Sequence, residues 1–193
     1  MSLLSTRANA SARGYGMFPG VAAATNSYES IATSTPSGTG TVTFSSIPST
    51  YKHLQLRILA RYSSGITSGN IRMQYNSDTA ANYSTHYLEG DGASVGANAY
   101  TSITYNYMVN TIGGSSTANA FSALVVDILD YQNTNKYKTT RWLQGYDANG
   151  SGFVELQSGL WQSTSAINSI SFSNGGGWVF AAGTSFALYG IKG

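Results

Sequence analysis

The sequence has no cysteine and few charged residues. The absence of cysteine from all 193 residues excludes disulfide bonds, zinc thiolate sites and a cysteine nucleophile. Charged side chains make up 9% of the chain, whereas an average soluble domain has about 25%. The formal charge of +2 is too small for the clustered Lys and Arg that phosphate backbones require. We therefore expect no nucleic-acid partner, and a surface suited to contact with other protein subunits or with sugars.

Long hydrophobic runs are missing as well. No stretch approaches the roughly 18 unbroken apolar residues of a transmembrane helix. Near the start of the chain, Arg7 and Arg13 interrupt the short apolar runs, so the segment lacks the apolar centre of a secretion signal. We expect neither a signal peptide nor membrane insertion.

Groups that could perform catalysis are scarce. The chain has eight Asp and Glu residues and two His residues. His53 and His86 are expected to be surface or loop residues without a role. Asp127 and Asp130 could act as a general acid and base, but capping a turn or pairing with a nearby lysine is the favoured interpretation. The sequence predicts no enzymatic activity, no catalytic residue and no cofactor.

The segment "DANGSG", residues 147–152, resembles the first half of a calcium-binding EF-hand loop. Position 12 of that loop would be Ser158, where calcium binding requires a bidentate Glu. Asn followed by Gly is also the pair that a tight hairpin turn requires, because both residues tolerate positive φ. We predict a hairpin turn here and no metal site.

What the chain does contain is a two-residue alternation of apolar side chains from Thr41 onward. In "LQLRILARY", Leu54, Leu56 and Ile58 share one face, and "TSITYNYMV" is interpreted as a single strand with Ile103, Tyr105, Tyr107 and Val109 on one face. Such alternation over short segments, separated by Gly, Ser and Asn, is typical of half-buried strands. The sequence therefore predicts an all-β, jelly-roll-like β-sandwich of about eight to ten strands over residues 41–193.

The last segment, "SFALYGI", also alternates, with Phe186 and Leu188 on one side. We predict that this strand lies inside a sheet. "FSALVVDIL" is apolar on both faces around Val125 and Val126, which predicts a central strand.

Residues 1–40 differ from the rest, because Ala, Ser, Thr and Gly dominate and the apolar residues have no period. We interpret this segment as an irregular attachment arm and linker that orders on a partner. A floppy terminus is the alternative. The candidate anchors of the arm are Leu3, Leu4, Arg7, Arg13, Tyr15, Met17 and Phe18.

Aromatic residues provide the one candidate binding signal, with 14 Tyr and three Trp in the chain. Exposed rings can stack on the CH groups of sugars, whereas packing in the core or at a subunit interface is the alternative. The candidates are Tyr105, Tyr107, Trp142, Tyr146, Trp161 and Trp178, together with Tyr100.

Several phrases occur in a specific order between Thr41 and the end of the chain. They are "VTFSSIPSTYKHLQLRILAR", "MQYNSDTAANYSTHYL", "VVDILDYQNTNKYKTTRWLQGYDANGSG", "LQSGLWQSTSAINSISF" and "FALYGIKG". In this combination the chain resembles a family of small virion proteins of tailed bacteriophages, described as structural, head-decoration or tail-fibre proteins. The start, "LLSTRANASARGYGMF", is similar to the opening of phage appendage proteins, in which such an arm attaches a module to the particle.

The resemblance implies a β-sandwich used in particle assembly or host contact. It implies no active-site residues in this chain. The expected function is that of a capsid decoration or cement protein bound between capsid subunits. Its expected partners are the major capsid protein or another virion protein, together with further copies of itself in a homotrimer. It would be made in the host cytoplasm and lie on the outer surface of the virion. The alternative is a tail-fibre or adhesin module that binds a host-surface glycan.

Overall fold

A computed structural model describes residues 27–38 and 40–193 of the chain. This part of the chain forms twelve β-strands and no helix, which confirms the all-β prediction and exceeds the expected eight to ten strands. No segment of it is a helix that could cross a membrane. The strands are β1 (Tyr28–Ser34), β2 (Val42–Phe44), β3 (His53–Ala60), β4 (Ser68–Tyr75), β5 (Tyr83–Gly90), β6 (Val95–Ile103), β7 (Asn106–Ile112), β8 (Ser122–Ile128), β9 (Lys138–Asp147), β10 (Gly152–Trp161), β11 (Ile170–Asn174) and β12 (Ser185–Ile191).

The strands form two antiparallel sheets packed face to face. The larger sheet has eight strands in the order β1-β12-β3-β8-β9-β10-β5-β6, and the smaller has four in the order β2-β11-β4-β7. From β2 to β5 the chain alternates between the sheets, and β11 returns to lie between β2 and β4. This crossing pattern is that of a jelly roll, so the predicted β-sandwich is confirmed.

The core lies between the sheets and is apolar toward β2, β3, β11 and β12. The rings of Phe172 in the smaller sheet and Phe186 in the larger sheet are 5.1 Å apart. The predicted inward residues Leu54, Leu56 and Ile58 are all buried. Burying each such side chain contributes about 1.5–3 kcal/mol to the free energy of unfolding.

The last strand, β12, lies between β1 and β3, which confirms that it is internal to a sheet. Phe186 and Leu188 are buried in the core, as the alternation predicts. The strand β8 lies between β3 and β9, which confirms its predicted central position.

The strand β1 corrects the predicted arm. Residues 1–40 are expected to be irregular, but Tyr28–Ser34 form an edge strand that pairs antiparallel with β12. Its weak period arises because an edge strand is covered on part of one face only, where Ile31 and Ala32 pack against the core. The candidate anchors Leu3, Leu4, Arg7, Arg13, Tyr15, Met17 and Phe18 lie outside the described residues.

The segment "TSITYNYMV" is not one strand, contrary to the prediction. It divides into the end of β6 and the start of β7, which belong to different sheets. After the corner, Asn106 and Met108 are fully buried, whereas Tyr105 and Tyr107 are only partly buried. The change of sheet shifts the alternation by one residue, so the buried residues at the start of β7 are Asn106 and Met108.

The hairpin predicted at "DANGSG" is confirmed. It connects β9 to β10, with Asn149 at φ 57° and Gly150 at φ 110°. The backbone N–H of Ala148 donates to the carbonyl of Ser151 at 2.7 Å, and the N–H of Asn149 donates to Asp147 Oδ1 at 2.7 Å. The Asp147 carboxylate therefore closes the turn.

Candidate functional site

A polar cleft opens between the two sheets at the end of the sandwich formed by β4, β5, β6, β7 and β10. Its volume is about 330 Å³. Three tyrosines, a tryptophan and a phenylalanine line it together with carboxylate, amide and hydroxyl groups. The lining residues are Ser68, Gly69, Asn70, Tyr87, Glu89, Tyr100, Tyr107, Asn110, Phe153 and Trp178.

Two β-bulges shape this cleft. In the pairing of β5 with β6, Tyr83 is opposite Ile103 and Thr85 is opposite Tyr100, so β6 carries one extra residue. The bulge contains Ser102, at φ 53°, and it leaves both Tyr100 and Ile103 on the inner side of the sheet. Bulges re-aim side chains and are frequent beside functional sites.

The second bulge lies on β7. In its pairing with β4, the register shifts between Gly69 and Ile71, which are opposite Thr111 and Met108. Asn110 within this bulge has φ 57°, a left-handed backbone conformation that is uncommon for a residue other than glycine. Its side-chain amide reaches Glu89 and Glu155 on the facing sheet.

The aromatic wall is a row of rings in mutual contact. Tyr87 stacks on Tyr100 with ring centroids 6.2 Å apart, and Tyr100 contacts Tyr107 at 5.1 Å. Asn70 Nδ2 donates to the Tyr107 hydroxyl at 2.7 Å, which fixes that ring. Burial and the neighbouring hydroxyl of Tyr100 raise the pKa of Tyr87 to about 12, so the Tyr87 hydroxyl is protonated at neutral pH.

Trp178 is the other large aromatic residue of the lining. Its indole packs edge-on against Tyr62 at 5.3 Å and lies close to the backbone of β4. A Cβ atom at Gly69 would lie 2.3 Å from the indole ring, closer than any side chain can approach. Glycine at position 69 is therefore required for Trp178 to take this position.

Glu155 lies beneath the cleft and is 1% exposed. Asn110 Nδ2 donates to its Oε1 at 2.5 Å, and Gln157 Nε2 donates to its Oε2 at 2.5 Å. Gln144 Nε2 also donates to Oε2. Three side-chain amides thus hold one carboxyl group between the sheets.

Glu89 lies closer to solvent and shares a donor with Glu155. Asn110 Nδ2 donates to Glu89 Oε2 at 3.2 Å, so a single nitrogen contacts both carboxyl groups. Burial, and to a smaller extent the negative charge of Glu89, raises the pKa of Glu155 to about 7. The three amide donors oppose this increase because they stabilise the carboxylate. The lining residues of the cleft include no Lys, Arg or His.

The predicted aromatic residues separate into two groups. Tyr107 and Trp178 line the cleft, as does Tyr100. Tyr105 stacks on Tyr107 at 5.8 Å, and the Arg72 guanidinium covers it at 4.5 Å. Tyr146 packs against Phe153 at 6.0 Å.

Trp142 and Trp161 do not present faces to a ligand. They are 1% and 2% exposed, so the alternative interpretation, core packing, is correct for both. Trp161 stacks on Tyr83 at 6.3 Å. Its indole N–H donates to Asp78 Oδ2 at 2.7 Å, which satisfies the polar atom of a buried ring.

The two aspartates and two histidines of the sequence analysis lie outside the cleft. Asp130 accepts a hydrogen bond from Lys136 and forms an ion pair with Lys52, which together lower its pKa to about 2. The Asp130 backbone N–H donates to His53 Nδ1 at 2.9 Å. Asp127 pairs with Arg141 at 3.1 Å. His86 is exposed on the outer face of β5.

A second candidate surface is the outer face of the eight-stranded sheet. Leu143, Leu156 and Val154 are 54%, 50% and 63% exposed. Leu143 on β9 lies directly opposite Leu156 on β10, and Val154 lies two residues before Leu156 on the same face of β10. They belong to two adjacent rows that cross the sheet from β6 to β12. One row is Ala97, Leu88, Leu156, Leu143, Val125, Arg57 and Ala187, and the next is Val95, Gly90, Val154, Gly145, Ala123, Leu59 and Ser185.

Sequence reasoning missed Glu89, Glu155 and Asn110. The available signal was the alternation in "FVELQSG", which separates Glu155 and Gln157 from Val154 and Leu156, although the alternation does not say which pair faces inward. Among the residues described, no group of three or more His, Asp and Glu side chains is placed to hold a metal ion. No protein-family model, curated protein or solved structure matches the chain.

Proposed function

We propose that this protein is a non-enzymatic structural protein that self-associates through the outer face of its eight-stranded sheet within a larger particle. The observation that carries the proposal is the pair of apolar rows on that face. In antiparallel sandwiches the face turned to solvent is ordinarily polar. Here it exposes seven large aliphatic side chains: Leu59, Leu88, Val95, Val125, Leu143, Val154 and Leu156. Contiguous apolar surface of this kind marks interaction sites.

The charges around the rows favour a second copy of the same chain as the occupant. Arg57, within one row, lies over the rings of Tyr28 and Tyr189 at 5.6 and 5.0 Å. Arg141, in the adjoining polar row, pairs with Asp127 of the same chain. The face therefore has little unbalanced charge to attract a partner of opposite sign, whereas an identical apolar face is complementary to it.

The sequence resemblance makes a tailed-phage particle the assembly that we propose. In it the protein acts as a capsid decoration or cement protein on the outer surface. Copies of the protein associate through this apolar face and contact the major capsid protein. The low charge content supports this role, because the centres of subunit interfaces are depleted in charged residues.

A charge placed in the apolar rows tests the proposal. We expect light scattering to give the wild-type chain a molar mass that is a multiple of 20.4 kDa, and to give Leu143→Lys and Leu156→Lys the mass of one chain. The melting temperatures should change little, because both side chains are about half exposed. Thr139→Lys is the matched control, since Thr139 lies on the same face of β9 beyond the apolar rows.

Two results would contradict the proposal. One is a wild-type protein that has the mass of a single chain at about 100 μM, a concentration that populates interfaces of about 5 to 6 kcal/mol. The other is self-association that survives both lysine variants, which would place the contact elsewhere.

A further inference from the structure

We propose that the cleft between the sheets, with Tyr87, Tyr100, Tyr107 and Trp178 as its walls and Glu89 and Asn110 at its base, is a binding site for a saccharide. This site is separate from the outer face of the sheet and from the self-association proposed for it. Three features support a binding site: the aromatic walls, the hydrogen-bonding groups between them, and the buried polar cluster of Glu155, Gln144 and Gln157.

The walls suit the CH faces of a sugar ring. Three tyrosine rings run in one continuous row, and the indole of Trp178 also lines the cleft. Aromatic rings gain energy from apolar contact while their polar edges stay hydrated, which is the combination that a sugar ring requires. The volume of about 330 Å³ is at the lower end of the range for small-molecule sites.

The base of the cleft offers acceptors and donors for hydroxyl groups. Glu89 is partly exposed and provides carboxylate oxygens, while Ser68, Asn70 and the tyrosine hydroxyls provide neutral polar groups. Hydrogen bonds to an ionised carboxylate are stronger than those between neutral groups. One sugar with two adjacent hydroxyls could engage both Glu89 and a neutral group.

The buried polar cluster next to the cleft is unfavourable for the stability of the fold. Glu155, Gln144 and Gln157 are all buried between the sheets. Burying polar groups costs free energy even when they are paired, and apolar side chains of similar volume would pack there at least as stably. Two bulges and a left-handed Asn110 add to that cost. Such a concentration of locally unfavourable features is expected at a binding site.

The chemistry of the lining residues separates a saccharide from other ligands. Among the residues described, Glu89 is the only charged one in the lining of the cleft, and the guanidinium of the neighbouring Arg72 is stacked on Tyr105. This lining disfavours phosphates and carboxylates. Glu155 is held by three amides and is 1% exposed, so it positions Asn110 and does not reach a ligand. The site is therefore one for binding, with Glu89 as the charged acceptor.

Nuclear magnetic resonance titration tests the site. The probes are cellotetraose, chitotetraose, maltotetraose, lactose and N-acetyllactosamine, each added to about 10 mM, well above millimolar dissociation constants. We expect at least one saccharide to shift both the indole N–H signal of Trp178 and the side-chain amide signals of Asn110. Glu89→Gln and Tyr100→Leu should each weaken that binding about tenfold or more.

Matched controls lie at the opposite edge of the larger sheet. Glu29→Gln and Tyr28→Leu change the same residue types on β1 and should leave the affinity within about twofold of wild type, a difference of less than about 0.5 kcal/mol. The proposal is overturned if no saccharide shifts the Trp178 and Asn110 signals, or if Glu89→Gln binds as well as Glu29→Gln. Binding of choline without binding of any saccharide would also overturn it, since that result would indicate a cation site.

Discussion

Glu155 positions Asn110 at the candidate site, but burying its carboxyl group lowers the stability of the fold. It is 1% exposed, and burial raises its pKa to about 7 from an ordinary value of 4.5. A group whose pKa is raised on folding binds its proton more tightly in the native state than in the unfolded state. Its protonated form therefore contributes stability that is fully present below pH 4.5 and is lost as the pH rises through about 7.

Replacing Glu155 with Gln should make the free energy of unfolding less dependent on pH in this window. We expect the wild type to lose about 2 to 3 kcal/mol relative to Glu155→Gln between pH 4.5 and 7.5, since each pKa unit corresponds to about 1.4 kcal/mol. Denaturant unfolding at several pH values measures the difference. Asp130 has a pKa lowered to about 2, so its opposite effect falls at more acidic pH. Parallel profiles for the two proteins would show that Glu155 titrates normally.

At the same scale, residue identity alone did not reveal the site. The sequence predicts Trp142 and Trp161 as candidate sugar-binding residues, yet both are buried in the core. Tyr87 and Glu89, which line the cleft, carry no distinguishing motif. Whether a ring faces a core or a cleft depends on sheet pairing between residues far apart in the chain, and local sequence does not encode that pairing.

Among the elements, β10 shows why alternation predicts a strand but not its inner face. Val154 and Leu156 are exposed, while Glu155 and Gln157 are buried, the reverse of the usual arrangement in a sandwich. The inner face is set further along the strand, where Trp161 enters the core. Because side chains two residues apart share a face of a strand, Gln157 and Glu155 lie on the same inner face as Trp161. The pattern thus predicted most of the strands, whereas β1, the corner before β7 and the two bulges depend on tertiary contacts.

The edge strand β1 should contribute measurably to stability. It forms six registered residue pairs with β12, Ile31 and Ala32 pack against the core, and Glu29 accepts hydrogen bonds from Tyr51 at 3.0 Å and from Lys192. We expect a chain lacking residues 1–37 to unfold about 2 to 4 kcal/mol more easily than a chain lacking residues 1–26, through lost burial and hydrogen bonds. It should also aggregate more readily, because β12 becomes an unprotected edge.

Thermal unfolding of the two shortened chains, measured side by side, checks this expectation. The comparison isolates residues 27–37, so it does not depend on the segment that precedes them. Equal melting temperatures would mean that β1 pairs with β12 without stabilising the sandwich. Residues 27–37 would then add no stability to the sandwich, as expected for part of the arm predicted over residues 1–40.

For the whole molecule, the two candidate surfaces have opposite chemistry and lie in different places. The outer face of the larger sheet is apolar and broad, whereas the cleft between the sheets is polar, narrow and acidic. Self-association through the first would leave the rings of the second free. A particle protein that groups its copies by one face while presenting sugar-binding clefts from another would be consistent with both proposals.

The nature of the outer face also predicts how self-association responds to salt. Its two rows contain one charged residue, Arg57, and the neighbouring Arg141 and Asp127 are already paired within the chain. At about 1 M NaCl the screening length falls to about 3 Å, which would weaken an interface held by charges. Sulfate, in contrast, strengthens apolar burial because it is excluded from protein surfaces. We therefore expect the dissociation constant, measured by analytical ultracentrifugation, to change little in NaCl and to decrease in sodium sulfate at equal ionic strength. Dissociation in NaCl would instead indicate that charged groups outside the apolar rows hold the copies together.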